Sequence, residues 1–152
     1  MNKRNIMTTL LGGLLGIFTA CGQKALMPDG ALLSLDYTIS GTMAGYEYEA
    51  HVETLKNGNV EVRASSEPYG PLVVKTVDNS ALDSLRTIIE TEKMYAYKNH
   101  YEPPFEVLDG RMWSFHALFE GDKSISSHGS NAWPKGDGLS RIREYIATLV
   151  GQ

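Results

Sequence analysis

Serine, histidine and aspartate residues cluster in the last third of the sequence, where their types would suit hydrolysis. The candidates are Asp109, His116 or His128, and Ser126 or Ser130. In a hydrolytic triad a histidine takes the proton of a serine hydroxyl, and a carboxylate holds the histidine in the required tautomer. The chain has no Gly-x-Ser-x-Gly sequence, the turn that exposes the nucleophile in one large class of hydrolases. We therefore expect hydrogen-bonding pairs on a protein surface and predict no catalytic residue.

The histidines also raise the question of a metal site. His116 and His128 should share the solvent face of one hairpin, while His51 and His100 lie elsewhere along the chain. A zinc site needs three or four ligands in a tight cluster, and no His-x-x-x-His spacing or nearby cysteine is present. The glutamates of residues 47–53 alternate along one strand, as expected for its hydrated face. We predict no metal and no cofactor.

Aromatic residues mark two loops that could bind a partner or a ligand. One loop surrounds Pro103-Pro104, and the other contains Trp133-Pro134. Exposed tyrosine and tryptophan rings on loops are typical of binding surfaces, because they combine a large apolar area with a polar group. The alternative is that the rings close the rim of a small core, which is the role we favour for Trp133. The aromatic candidates for binding are Tyr95, Tyr97, Tyr101, Phe105 and Trp133.

The first twenty residues have the composition of a signal peptide. Lys3 and Arg4 form a short positive region, and residues 6–18 are uncharged and mostly apolar. This length suits the hydrophobic region of a signal peptide and is too short for an ordinary transmembrane helix. Two small residues then lead to Cys21, the only cysteine of the chain. A lone cysteine excludes an internal disulfide framework.

The sequence Phe18-Thr19-Ala20-Cys21 resembles the lipobox of bacterial lipoproteins, with phenylalanine in place of the usual leucine. The resemblance implies cleavage after residues 1–20 and acylation of both the Cys21 sulfur and the new amino terminus. Several acyl chains anchor a protein stably, whereas one chain binds a bilayer only marginally. We expect residues 21–30 to be a short tether. Gly22, the residue after the cysteine, resembles the residue at that position in lipoproteins sent to the outer membrane. We therefore expect the protein in the cell envelope, with its domain facing the periplasm or the cell surface.

Composition indicates one acidic domain over residues 31–152, which is large enough to form a hydrophobic core without disulfides or a bound metal. The whole chain has a formal net charge of −4, and loss of the leader would remove two positive charges. An acidic domain repels phosphate backbones, which excludes nucleic acid as an expected partner. The expected partners are the membrane, through lipid on Cys21, and an envelope protein or glycan.

Alternation typical of a half-buried strand is clearest in residues 46–54, where tyrosine, alanine and valine occupy one face and glutamate and histidine the other. A turn sequence centred on Gly58 separates this strand from a second one. We predict a hairpin with the three-residue loop Asn57–Asn59, because this register pairs Val52 with Ala64 and keeps the apolar faces together. Gly58 or the asparagine after it should be left-handed.

A second hairpin is predicted near the end of the chain. Residues 111–119 alternate aromatic and polar side chains, and residues 120–122 have turn composition. Pairing Ala117 with Ile125 keeps apolar residues on one face of this hairpin.

Two segments have the periodicity of amphipathic helices. The first should begin after Asp78 or Asn79 as N-cap and end near Met94, and the second should begin near Gly138. The apolar stripes contain Leu82, Leu85, Ile88 and Ile89 in the first helix and Leu139, Ile142, Ile146 and Leu149 in the second.

The predicted fold class is α+β, with the element order ββββ-α-ββ-α. Runs of strands separated from helices favour a mainly antiparallel sheet, here of about six strands. We expect both helices to pack on one face of this sheet. The face that carries the glutamates of residues 47–53 should then be in water.

Three short motifs carry a further resemblance. They are Leu108-Asp109-Gly110, Phe119-Glu120-Gly121 and the stretch from His128 to Pro134. In this combination the segment from about residue 80 to 150 resembles a domain of uncharacterised small bacterial lipoproteins and secreted proteins. The turn Phe119-Glu120-Gly121 is one residue shorter than the turn in that domain, and His128 occupies a position where that domain has serine. The resemblance implies a domain type and no activity. The polar candidates for binding are His116, Ser126, His128 and Asn131.

The sequence thus predicts a membrane-anchored envelope lipoprotein with a non-catalytic binding domain for a protein or another envelope component. The alternative is a domain that binds a small molecule or a glycan, with Tyr97, Tyr101 and Trp133 as stacking platforms. A hydrolase that uses Asp109, His128 and Ser130 comes third.

Overall fold

Seven strands form one sheet in the computed structural model, which describes residues 25–41, 45–65 and 67–151. Two helices accompany the sheet, so the α+β class predicted from the sequence is confirmed. The elements are β1 Leu32–Ser40, β2 Tyr46–Thr54, β3 Val60–Ser65, β4 Leu72–Val77, α1 Ser80–Thr91, β5 His100–Tyr101, β6 Met112–Phe119, β7 Lys123–Ser130 and α2 Gly138–Val150.

The sheet has the strand order β4-β3-β2-β1-β6-β7-β5, so the first strand of the chain lies at its centre. All neighbours are antiparallel except β5 and β7, which are parallel. The predicted count of about six strands is wrong, because β5 lies in a segment that we expected to be a loop. Two residues are too few for a periodic sequence signal. Their place is set by pairing of His100 with His128 and of Tyr101 with Gly129.

The hairpin between β2 and β3 keeps the predicted faces but has a different register. Val52 pairs with Val62, so the register predicted with Ala64 is wrong by two residues. The loop has the predicted three residues but begins one residue earlier, at Lys56, because the N–H of Leu55 donates to the Asn59 carbonyl at 2.7 Å and closes the hairpin. Gly58 has a φ of +84°, the left-handed conformation expected at this turn. A shift of two residues leaves every side chain on its original face.

The hairpin between β6 and β7 has the predicted register. Ala117 pairs with Ile125, and residues 120–122 form the turn between the strands. Gly121 in this turn has a φ of +72°.

The core lies between the helices and one face of the sheet. Asn79 is the N-cap of α1, and the Asp78 carboxylate accepts the N–H of Ser80 at 2.8 Å. The helix ends at Thr91, before the predicted end near Met94, which is buried in a following 3-10 turn. Each fully buried apolar side chain contributes about 1.5–3 kcal/mol relative to an exposed one. The helical part of the core cluster is Leu82, Leu85, Ile89, Leu139, Ile142, Ile146 and Val150.

The other face of the sheet, which we call the open face, carries no helix in the described ranges. Its side chains are mostly polar and half-buried or exposed, as predicted for the glutamate-bearing side of β2. The central rows of this face contain Asp36, Thr38, Glu49, His51, Arg63, Ser114, His116, Ser126 and His128.

Candidate functional site

A pocket of about 330 Å³ lies between one end of the sheet and the first turn of α2. Strand β1, the residue before β6, the loop after β7 and α2 all contribute to its walls. Two of the lining residues are arginines, so we call it the arginine pocket. It is lined by Tyr37, Ile39, Arg111, Trp133, Pro134, Gly136, Leu139, Ser140 and Arg143.

The end of the β6–β7 hairpin fixes the position of Arg111. Its backbone N–H donates to Oδ1 of Asn131 at 2.9 Å, and its carbonyl accepts the N–H of Asn131 at 2.9 Å. The guanidinium pairs with Glu47 at 2.6 Å and lies 5.9 Å from the centre of the Trp133 ring. Asn131, a predicted binding candidate, therefore holds the backbone of Arg111 in place.

Arg143 brings a second positive charge to the pocket from α2. Its guanidinium carbon lies 4.7 Å from the centre of the Tyr48 ring, within the range of a cation–π interaction. It forms no ion pair with any residue that the structure describes. Because Glu47 offsets the charge of Arg111, the pocket keeps a net positive charge, carried by Arg143.

The hydroxyl of Tyr37 adds a neutral hydrogen-bond donor. Its ring is buried against Tyr48 in an edge-to-face arrangement, with the ring centres 5.3 Å apart. Burial raises the pKa of Tyr37 to about 12, although the charges of Arg143 and Arg111 oppose the rise. The phenol therefore stays protonated at neutral pH.

Trp133 and Pro134 form an apolar wall of the pocket. Trp133 is 39% exposed and lies outside the core cluster, in contrast to the core-closing role that we favoured. The preceding residue is fixed from the core, because Nε1–H of Trp113 donates to the Ala132 carbonyl at 2.7 Å. The indole of Trp133 therefore lines the pocket, and part of the ring is exposed to water.

This arrangement suits an anion with an apolar body. Guanidinium groups bind carboxylates through two parallel hydrogen bonds. The first-turn residues Leu139 and Ser140 line the pocket, and the N-cap Asp137 makes no side-chain hydrogen bond to their helix. The positive end of the α2 dipole therefore adds to the field of the arginines.

On the open face, His51 bridges two carboxylates. Its Nδ1 lies 2.6 Å from Oδ1 of Asp36, and its Nε2 lies 2.8 Å from Oε1 of Glu49. Both nitrogens can donate only when the imidazole is protonated. Burial lowers the pKa of His51, but the hydrogen bonds and charges of Glu49 and Asp36 outweigh burial and raise it overall.

Two predicted binding candidates, His116 and Ser126, meet on the open face. Nδ1 of His116 lies 2.7 Å from Oγ of Ser126. Asp36 pairs with His116 across the strands, but its carboxylate bonds His51. Asp109, the carboxylate considered for a triad, is exposed in the loop before β6. The pair therefore has the form of the surface hydrogen bond expected from the sequence.

His128 lies beside His100 at the edge of the open face. Their ring centres are 4.7 Å apart, because β5 pairs with the end of β7. Our expectation that His100 lies apart from His128 is therefore wrong. No sequence pattern predicts this contact, because the strand that carries His100 has only two residues.

The tyrosines of the loop before β6 turn inward. Tyr95, Tyr97 and Tyr101 are half-buried and pack against the core. The ring centre of Tyr101 lies 6.4 Å from that of Tyr97 and 5.8 Å from that of Trp113. Burial raises the pKa of Tyr97 to about 12, helped by neighbouring Tyr101. Phe105, by contrast, is 69% exposed. A binding role for the three tyrosines stays a prediction, and their position is that of a core rim.

Sequence reasoning missed Arg111, Arg143 and Tyr37. One signal could have indicated Arg143, which lies four residues after Leu139 and three before Ile146. A cation at this spacing lies on the border of the apolar stripe of α2 and must meet the sheet or a cavity. No comparable signal marks Arg111, because its pocket position depends on Asn131 in a distant loop.

Several sequence predictions concern features away from this pocket. Cys21 lies outside the described residues, so its lipidation stays a prediction. No described helix is long and apolar enough to cross a membrane. Within residues 25–41, 45–65 and 67–151, no group of three or more histidine, cysteine, aspartate or glutamate side chains could hold a metal ion.

No protein-family model matches the chain, and no protein of curated function matches it in sequence. The geometry of the arginine pocket is therefore the main basis for a function.

Proposed function

We propose that this chain is a membrane-anchored lipoprotein of the cell envelope whose domain binds a small carboxylate-bearing molecule in the arginine pocket. The observation that carries the proposal is that Arg143 lines a pocket with one apolar wall and has no ion-pair partner among the described residues. The domain acts by binding and not by catalysis. The anchor is the lipid expected on Cys21, and Gly22 favours the outer membrane.

A carboxylate fits the charge of the pocket better than a neutral group or a phosphate. With Glu47 paired to Arg111, a single negative charge on the ligand neutralises the site. A doubly charged phosphate would leave an excess of negative charge near Glu47. Hydrogen bonds between charged groups are about twice as strong as neutral ones, and a partly enclosed site strengthens them further.

The rest of the ligand should be flat and apolar. Trp133, Pro134 and Ile39 supply the apolar lining, and the Tyr37 hydroxyl supplies one neutral donor. A volume of about 330 Å³ lies at the small end of ligand pockets. A ring the size of benzene with one carboxylate is therefore the kind of molecule that we expect.

Tryptophan fluorescence tests this proposal directly. The chain has two tryptophans, of which Trp113 is buried in the core and Trp133 lines the pocket. Benzoate should change the emission of the full-length protein in detergent and raise its melting temperature by mass action. Benzyl alcohol, which has the ring without the charge, should do neither. Equal responses to both compounds would rule out the arginine pocket as an anion site.

Two variants on α2 distinguish the effect of the charge in the pocket from the effect of the protein's net charge on benzoate binding. Arg143→Met should weaken benzoate binding by about tenfold or more, because a charge-assisted hydrogen bond contributes about 1.5–3 kcal/mol. Arg141→Met removes the same charge from the same helix but lies outside the pocket, where Arg141 pairs with Glu92. This control should bind benzoate like the wild type. Equal losses in both variants would show that only the net charge matters.

A protein partner is a second candidate function, favoured by the loop before β6. Phe105 is 69% exposed and Leu108 is 92% exposed, which places two large apolar side chains in water within four residues. The full-length protein, purified from detergent-solubilised envelopes, should then retain a partner that a Phe105→Ser, Leu108→Ser double variant loses. Recovery of the same proteins by both forms would exclude this loop as the contact.

A further inference from the structure

A groove of about 340 Å³ crosses the open face, on the other side of the sheet from the arginine pocket. Tyr46 on β2 forms one wall, and His128 and His100 form the other wall from β7 and β5. Met112 lies between these walls and is 55% exposed. Tyr46, which the alternation of β2 assigns to the buried face, is 48% exposed, because the pairing of β1 and β2 is irregular beside it. The groove is therefore bordered by a partly exposed tyrosine on one side and by a pair of histidines in mutual contact on the other.

The floor of the groove carries hydroxyl groups from three neighbouring strands. Thr38 and Ser40 come from β1, Ser114 from β6 and Ser130 from β7. Thr38 pairs directly with Ser114 across the strands. Adjacent strands lie about 4.8 Å apart, and alternate residues along a strand about 6.6 Å apart. Backbone spacing therefore places the hydroxyl-bearing residues of the floor within roughly the span of one sugar ring from each other.

The groove contains no fully charged side chain when its histidines are neutral. Its chemistry therefore differs from that of the arginine pocket, and it offers nothing to neutralise a charged ligand. A purely apolar ligand would leave the floor hydroxyls without partners, which costs binding energy. An uncharged molecule with hydroxyl groups and an apolar face matches both the floor and the walls.

We propose that this groove is a second binding site, which takes an uncharged pyranose ring of a glycan. The C–H face of the sugar lies on Tyr46 and the paired histidines, and its hydroxyls exchange hydrogen bonds with Ser114 and Thr38. The histidine pair is held in place by the backbone, since the N–H of His128 donates to the Asn99 carbonyl at 3.1 Å. The proposal does not depend on what the arginine pocket binds.

The test uses the full-length chain in a zwitterionic detergent, because glycoside detergents would compete for the site. Neutral trisaccharides of glucose, galactose or N-acetylglucosamine are titrated against isotope-labelled protein by NMR. We expect at least one series to shift the backbone signals of β1, β6 and the end of β7. Absence of binding by all three series at millimolar concentration would overturn the proposal.

Paired variants locate the sugar in the groove. Tyr46→Ala removes one wall and should weaken binding by about tenfold, whereas Val74→Ala removes exposed apolar atoms of β4 on the open face outside the groove and should have no effect. Ser114→Ala should weaken binding by about threefold to tenfold, and Ser124→Ala, an exposed serine of the open face outside the groove, should not.

Two other results would contradict the assignment. Loss of sugar binding in Arg143→Met would place the sugar in the arginine pocket, because Arg143 does not line the groove. Binding of Zn²⁺ that shifts the signals of His100 and His128, with no shift caused by any trisaccharide, would make the groove a metal site. Sugar binding that survives Arg143→Met and fails in Tyr46→Ala would support the proposal.

Discussion

His51 combines two contacts that make the open face sensitive to pH. Its ring nitrogens meet Asp36 and Glu49 within the sheet, and Arg63 is its partner on the other side, across β2 and β3. The carboxylates favour the protonated ring, and Arg63 opposes it. Because the pKa of His51 is raised overall, the hydrogen bonds and charges of the two carboxylates outweigh the effect of burial.

We expect His51→Gln to flatten the dependence of stability on pH. A group whose pKa rises on folding contributes stability that is complete below its unfolded pKa, here 6.5, and that is lost as the pH rises through the folded value. From pH 6 to pH 8.5 the wild type should lose about 0.5–1 kcal/mol more than the variant, since exposed ion pairs are screened by solvent. Urea denaturation at both pH values measures this, with Thr76→Ala on the open face as a control. Parallel pH profiles for wild type and variant would mean that the bridge adds no stability.

Gly129 allows the close packing of the Trp133 loop on the core. A Cβ atom at this position would lie 2.5 Å from the Ala132 carbonyl oxygen and 2.5 Å from Nε1 of Trp113. We expect Gly129→Ala to lower the free energy of unfolding by about 1–3 kcal/mol, as is usual for overpacking of a core. Chemical denaturation followed by Trp113 fluorescence measures the loss. Ser124→Ala, an exposed change on the same strand, should stay within about 0.5 kcal/mol of the wild type. A wild-type stability for Gly129→Ala would mean that the loop can move away at no cost.

At the scale of single elements, the two hairpins show which features could be predicted from the sequence and which could not. Alternation placed the strands of the two hairpins and, except at Tyr46, their faces correctly, because burial of one face of a sheet leaves a period of two in the sequence. The register of β6 and β7 followed from Ala117 and Ile125. The register of β2 and β3 did not, because a shift of two residues keeps the faces and satisfies the pattern equally well. In this hairpin the turn determines the register. Its loop, which contains the left-handed Gly58, begins one residue earlier than predicted.

The turn between β2 and β3 therefore depends on Gly58. With a φ of +84°, any residue with a Cβ is strained there, although no neighbour lies within 4 Å of such an atom. We expect Gly58→Ala to destabilise the domain by about 1 kcal/mol through backbone conformation alone. Gly58→Asn should cost less, since asparagine tolerates left-handed geometry. Thermal unfolding of the two variants and of Lys56→Ala provides the comparison. A larger loss for Gly58→Asn than for Gly58→Ala would contradict this account of the turn.

Strand β5 and the arginine pocket could not be predicted from the sequence, for a different reason. Each depends on segments that are distant in the chain, such as Arg111 beside Trp133 or His100 beside His128. Periodicity describes a residue's own element, but it does not describe which other element lies next to it. The predicted aromatic residues illustrate the same limit, because nothing local distinguishes inward-facing Tyr97 from exposed Phe105.

At the scale of the whole molecule, one sheet separates two environments of different chemistry. The helix-bearing side ends in a pocket whose Arg143 forms no ion pair with a described residue, and the open face ends in a groove with hydroxyl groups on its floor. Both lie at the same end of the sheet, where β1 ends and β6 begins. Ser40 and Ile39 show how this arises, since neighbouring residues of one strand point to opposite faces. Molecules placed in the pocket and in the groove would be separated by the sheet.

The attachment of the domain to a membrane is tested independently of either site. Cys21→Ala removes the sulfur that the lipobox resemblance requires for acylation, so the variant should move from the membrane fraction to the soluble fraction. Gly22→Ala keeps the thiol and should stay with the membrane, which controls for a change beside the cleavage position. Fractionation after a high-salt wash, with incorporation of labelled palmitate, measures both. Because the arginine pocket is built from residues 37–143, the released Cys21→Ala form should bind benzoate like the wild type. Membrane retention of Cys21→Ala without palmitate would mean that a protein contact, and not a lipid, holds the domain.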